Sequence, residues 1–263
     1  MRRLLALTGV LLLASGLGLA QRQRGRGFDA LRTPVRPAAN VPYDGRFTFV
    51  RLSYQTLPGG YWYRGQPAWS HGYPTSERNL MRIVDAISSV TAHVEETNTL
   101  SLEDPEIFKY PVLYLIEVSW WQMTDGEAAA LRAFLDKGGF VIVDDFKTEN
   151  WMGGRGWAQF EDNMRRVLPD GRFVDLDVSH PIFHQFFEIE SLEIFPQAYN
   201  AGRPVFRGLY EDNDLSKPLR MFVAYNTDIS QFWEWSERGL RPIAEANEAY
   251  KLGVNALLYG LMH

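Results

Sequence analysis

Two stretches of this sequence are apolar with almost no polar alternation: PVLYLIEV at 111–118 and FVIVD at 140–144. A strand that reads as a near-continuous hydrophobic run has both faces covered, which happens in a mostly parallel sheet with helices on each side. The segment between the two runs fits that picture. Thr124-Asp125-Gly126-Glu127 is a capping box that opens a helix, and Gly138-Gly139 closes it. Upstream, FTFVRLSY at 47–54 alternates as a first strand. Residues 76–90 place Leu80, Ile83, Val84 and Ile87 on one face of an amphipathic helix. A short strand is expected near 93–95. Phe160, Met164, Val167 and Leu168 mark a further helix, residues 205–210 and 219–225 a hairpin around Asn213-Asp214, and residues 244–261 a last helix. The pattern predicts an α/β fold: a three-layer, doubly wound, mostly parallel sheet of the flavodoxin-like kind, with an antiparallel edge hairpin.

The chain begins with two arginines, then a leucine-rich stretch ending in Gly18-Leu19-Ala20. A basic start, an apolar middle and small residues before Gln21 read as a signal peptide over 1–20. The seventeen residues 4–20, broken by three glycines, are short for a bilayer span, although an uncleaved anchor is the alternative. Residues 21–46 carry six arginines and three prolines and read as a basic tether, leaving 47–263 as one α/β domain. The expected location is the periplasm or another exported compartment, with membrane contact only through the signal segment or tether. A net charge of −5 gives no basic field for nucleic acid. The absence of cysteine excludes disulfides, thiolate metal sites and thiol nucleophiles.

In an open parallel sheet, ligands bind beyond the carboxyl ends of the strands. All eight tryptophans lie in segments that leave strands: Trp62, Trp69, Trp120, Trp121, Trp151, Trp157, Trp233 and Trp235. If these segments converge, they form an aromatic rim suited to a carbohydrate-like ligand or an envelope protein partner. The alternative is that the rings pack long loops onto themselves. Asp144 and Asp145 end a central strand, with Lys147 close behind. The two aspartates with His180 are the candidates for acid–base chemistry, and Lys147 is a candidate for ligand binding. Adjacent carboxylates on a regular strand point to opposite faces, so a shared site requires the strand to end between them. Glu117 lies in an apolar run, and Arg51 of the first strand is its expected partner and a further ligand-binding candidate. His180 and His184 have metal-like spacing but lack the glutamate of a metalloprotease helix and an evident third ligand, so no metal or cofactor is expected. Gly153-Gly154-Arg155-Gly156 lacks the spacing of either nucleotide-binding loop.

Several blocks together resemble the family called domain of unknown function 4159. They are FTFVRLSY at 47–54, YPTSERNL at 73–80, YPVLYL at 110–115, LRAFLDKGGFVIVDDF at 131–146, VLPD at 167–170, SHPIF at 179–183 and AYKLGVN at 249–255. That resemblance implies a fold similar to class I glutamine amidotransferases, shared by trehalose-utilisation-like proteins. It does not imply their chemistry, because glutaminase activity needs a cysteine that this chain lacks.

Three functions remain open on this reading: a non-catalytic exported binding domain using the tryptophan rim, a hydrolase using Asp144 or Asp145 with His180, and a structural subunit of an envelope complex. Export is directly testable. N-terminal sequencing of the protein recovered from its native compartment is expected to start at Gln21; a start at Met1 would replace the cleaved signal with an anchor.

Overall fold

The computed structural model describes residues 37–62, 65–146, 155–195 and 203–263. Seven strands form one sheet: β1 (Phe47–Leu52), β2 (Ala92–Leu100), β3 (Val112–Ile116), β4 (Phe140–Phe146), β5 (Phe173–Asp175), β6 (Val205–Tyr210) and β7 (Leu219–Tyr225). Their order is β2-β1-β3-β4-β7-β6-β5. The first five in that order pair in parallel, while β6 runs antiparallel to both β7 and β5. Five α-helices accompany them among the described residues: α1 (Thr75–Ile87), α2 (Asp125–Asp136), α3 (Gly156–Val167), α4 (Ile229–Trp235) and α5 (Ile243–Met262).

The two apolar runs become the central strands for the reason their composition suggests. In β3, Val112, Tyr114 and Ile116 face one core, with Leu80 and Val84 of α1 and Leu252 and Ala256 of α5. Leu113 and Leu115 face the other, with Leu131 and Phe134 of α2 and Phe160 and Met164 of α3. Every residue of β3 and β4 is buried. The expected three-layer arrangement, with its antiparallel edge, is the one observed.

The structure departs from the sequence reading at the sheet edges. The strand expected at 93–95 runs for nine residues, and its AHVEETNTL sequence hides the fact because an edge strand need not be apolar. Its outer side is closed by the chain itself. The Asn40 side chain accepts from Thr99 N (2.8 Å) and donates to Thr99 O (3.0 Å), while Asn98 makes the same pair of bonds with Val41 (2.9 Å each). The last part of the segment expected to be a tether is thus docked on the domain. At the opposite edge β5 adds three residues that no apolar pattern announced, and α4 occupies a stretch expected to be loop.

Four of the tryptophans are structural. Trp69, Trp120, Trp121 and Trp233 are buried, Trp121 completely. The Trp121 indole donates to Glu127 Oε2 (3.1 Å), the glutamate of the α2 capping box. Trp233 donates to Ala249 O (2.9 Å), joining α4 to α5. Trp121→Ala is expected to lower stability by about 3–5 kcal/mol, the usual cost of emptying a large aromatic site, read as an early unfolding midpoint in denaturant. A midpoint close to wild type would return Trp121 to the list of ligand contacts.

Candidate functional site

The chain moves from β1 to β2 on one side and then crosses to β3 on the other, so the strand order reverses between β1 and β3. Loops leaving neighbouring strands diverge at such a point and open a crevice at their carboxyl ends. Three groups meet there. Glu117 follows β3 directly, Asp145 lies near the end of β4, and His71 belongs to the long segment between β1 and α1.

Both carboxylates sit on left-handed backbone, Glu117 at φ 53° and Asp145 at φ 48°. For residues other than glycine this conformation costs about 1–2 kcal/mol, so the surroundings must fix it. Glu117 N donates to Asp145 O (2.9 Å). The Tyr54 hydroxyl donates to the carbonyls of Ile116 and Glu117 (2.9 Å each). Burial, together with the Glu117 and Asp145 charges, raises the Tyr54 pKa well above its usual value, keeping the phenol a donor. The β4–β7 register slips between Val143 and Phe146. The regular alternation is therefore lost at the aspartate pair although the strand runs on to Phe146, and the two carboxylates take different partners instead of sharing one site.

His71 Nδ1 lies 2.8 Å from Asp145 Oδ2 and 3.5 Å from Glu117 Oε1, and about a third of the side chain is exposed. Burial alone would lower the imidazole pKa. Hydrogen bonds that the imidazole donates to Asp145 and Glu117, with the charges of Asp145 and Asp228, outweigh it and push the value up to about 12. His71 is therefore an imidazolium at neutral pH, clamped through Nδ1. The residue after it, Gly72, has φ +71°, and a Cβ there would meet Ser76 Oγ at 3.1 Å and Glu234 Oε2 at 3.4 Å. Glu234 on α4 thus closes in from the other side, its own pKa raised by burial. One donor atom each from His71, Glu117 and Asp145 lies within 4.8 Å of the others, a spacing within reach of a metal ion. The 2.8 Å contact between Nδ1 and Asp145 Oδ2 is equally that of an imidazole–carboxylate pair.

Asp144 turns to a different task. Its oxygens accept from Ile229 N (3.0 Å), Ser230 N (2.8 Å) and the Tyr114 hydroxyl (2.9 Å), so the carboxyl caps the start of α4. Burial and the adjacent Asp145 push its pKa up to about 6, against the lowering effect of the backbone donors.

Beneath the crevice lies Arg51, with no exposed surface. Its partner is Glu77 in the first turn of α1, also fully buried, and not Glu117 as expected. Nη1 donates to Trp69 O (2.9 Å) and His71 O (3.0 Å), and Nη2 to Ser76 Oγ (3.2 Å). Arg51 therefore cannot touch a ligand in this structure.

The remaining predicted residues are dispersed. Trp62 is half-buried, with its ring 6.0 Å from that of His71. Trp157 is half-buried among Phe146, Phe160, Phe173 and Tyr225, with the Arg207 guanidinium 4.0 Å from its ring centre. Trp235 is half-buried beside Arg238. Lys147 and Trp151 lie outside the described residues. His180 is not brought to the aspartates. It caps a 3-10 turn through Ile182 N (3.2 Å) and packs beside Tyr210 and Tyr259, where β7 begins and the parallel strands have their amino ends. The histidine at the aspartates is His71. Its signal in the sequence is WSHGYP, a polar residue bounded by glycine and proline in a segment that follows a strand.

No curated protein matches the sequence. The family model for DUF4159, a domain of unknown function, matches residues 48–261, which cover the whole sheet from Thr48 onward and every site residue described above. The chain belongs to the DUF4159 family.

Proposed function

We propose that this protein is a non-catalytic binding domain, and that the crevice at the carboxyl ends of β1, β3 and β4 holds a neutral, hydroxyl-rich small molecule of the carbohydrate kind. The observation that carries this reading is the clamped imidazolium: Nδ1 of His71 is taken by Asp145, and Nε2 has no protein partner among the described residues. Sugar hydroxyls both donate and accept, so one can take the Nε2 N–H of His71, the exposed member of the cluster, while an indole such as Trp62 packs on the apolar face of the ring. The surrounding carboxylates disfavour anionic ligands. The proposed setting is the cell envelope, with 1–20 as export signal and the segment after it as tether. A protein partner is the alternative occupant, and the half-exposed Trp157 and Trp235, each beside an arginine, would suit one.

A hydrolytic role is favoured by one feature, the His71–Asp145 bond, which orients an imidazole as general acids and bases require. With its pKa pushed up to about 12, His71 would hold its proton near neutral pH, which suits neither a general base nor an efficient general acid and disfavours this reading. His71 replaces His180 in that reading.

Titration of Trp fluorescence with a panel of neutral mono- and disaccharides tests the binding proposal. His71→Gln and Trp62→Ala are each expected to weaken the best ligand about tenfold, roughly 1.4 kcal/mol, with unfolding midpoints recorded alongside. Failure of the whole panel to bind, or unchanged affinity in both folded variants, would overturn it. Release of products from a glycoside or ester panel, lost in His71→Gln, would select the hydrolase instead.

The pH dependence has a definite sign. A histidine whose folded pKa is raised contributes stability that is complete below its unfolded value of 6.5 and is lost as pH rises toward 12. The stability advantage of wild type over His71→Gln is therefore expected to be greatest just below pH 6.5, while the carboxylates are still ionised, and to shrink steadily as pH rises above it, measured by urea denaturation. An advantage that grows with pH would mean that His71 is neutral in the folded protein.

A further inference from the structure

The crevice reading depends on His71 being held where Asp145 can clamp it, yet His71 lies in a long segment between β1 and α1, followed by a left-handed glycine. We propose that Arg51 is the positioning residue for His71: its buried guanidinium fixes the backbone on both sides of the histidine through the carbonyls of Trp69 and His71. This inference rests on the proposed role of His71 in ligand contact, and it reaches further by naming what sets the geometry of that contact.

The carbonyls that Arg51 Nη1 grips, at 2.9 and 3.0 Å, belong to residues 69 and 71, so the turn presenting the imidazole is pinned at both ends by one nitrogen. That nitrogen is itself fixed. The Nε edge is paired with Glu77, Nη2 donates to Ser76 Oγ, and Ser76 Oγ donates to Glu77 Oε2 (2.8 Å). The guanidinium carbon also stands 5.2 Å from the centre of the Tyr114 ring. The chain of fixed groups runs from β1 and α1, two rigid elements, to one loop backbone. Guanidinium geometry is essential to it, because a planar fork reaches a carboxylate and two carbonyls at once, whereas a lysine offers one nitrogen at the end of a flexible stem. With no exposed surface, Arg51 acts only through the loop.

The test reads the free, full-length protein by NMR. The Nδ1 proton of His71, bonded to Asp145, is expected to give a slowly exchanging, strongly downfield resonance. Arg51→Lys, which keeps the positive charge beside Glu77, is expected to abolish that resonance. Ser76→Ala, which removes one anchor of the guanidinium but neither carbonyl bond, is expected to retain it. If Arg51→Lys does not fold, Arg51→Met/Glu77→Met removes both charges together, leaves no unpaired ion in the core, and is expected to lose the resonance likewise. A folded variant of either kind that melts earlier yet keeps the His71 resonance unmoved would show that Arg51 only stabilises the fold, and would overturn the proposal. Ligand titration plays no part in this readout. Failure of the saccharide panel would therefore sink the binding reading without touching this one.

Discussion

A completely buried charged pair governs the carboxyl end of this sheet. Arg51 and Glu77 are both completely buried, one on a strand and one in the first turn of a helix. Such a pair is no bargain as a stabiliser. Desolvating two ions consumes most of what their attraction returns, whereas removing one partner and stranding the other costs about 3–5 kcal/mol. Its value here is geometric. Burial alone would lower the Arg51 pKa; the Glu77 charge more than compensates and keeps the guanidinium charged. Its other donors must then find acceptors, and the nearest are carbonyls of the loop that carries His71. Satisfying a buried cation thus dictates the path of a segment that has no regular structure of its own.

The same economy of constraint separates Asp144 from Asp145. Adjacent in sequence, they would lie on opposite faces of an unbroken strand. The left-handed backbone at Asp145 departs from that alternation within β4, and each carboxylate takes its own partners. Asp144 closes the amino end of α4, where two backbone N–H groups and the Tyr114 hydroxyl converge. Asp145 receives the imidazolium. Because α4 also carries Glu234 toward Gly72, the cap made by Asp144 helps set where a further acidic group stands relative to His71. One aspartate builds the wall of the crevice and the other forms part of its polar floor.

Much of the fold was legible because burial on two faces leaves an unmistakable composition. The runs at 111–118 and 140–144 could hardly be anything but covered strands, and the Thr124 capping box marked the start of α2 to the residue. The edges were illegible for the opposite reason. β2 is held by side chains from residues 40 and 98 as much as by its own pattern, and β5 is too short to show any period. At the site, the aspartate pair was found from its position at a strand end and Arg51 as an ionisable group within the first strand, but their partners were not. Glu77 reads as a surface helix residue in SERNL, and nothing local says that it lies at 0% exposure. Choosing His180 over His71 had a similar cause. Two histidines spaced by four attract notice in a sequence, whereas one histidine gains meaning only when the topology brings two strand ends to it.

The tryptophans follow from this arrangement. Loops that leave the carboxyl ends of strands must cover the sheet without regular hydrogen bonding, and they need large rigid side chains to stay in place. Trp120 and Trp121 do this beside Glu117, Trp233 joins α4 to α5, and Trp69 packs while its carbonyl anchors Arg51. A frame of buried indoles holds these loops in place, and in the binding reading proposed above that pre-organisation would be a source of affinity. The aromatic excess and the polar crevice are therefore two parts of one design: the buried tryptophans hold the loops, and the loops present a small number of charged groups with Trp62 beside His71.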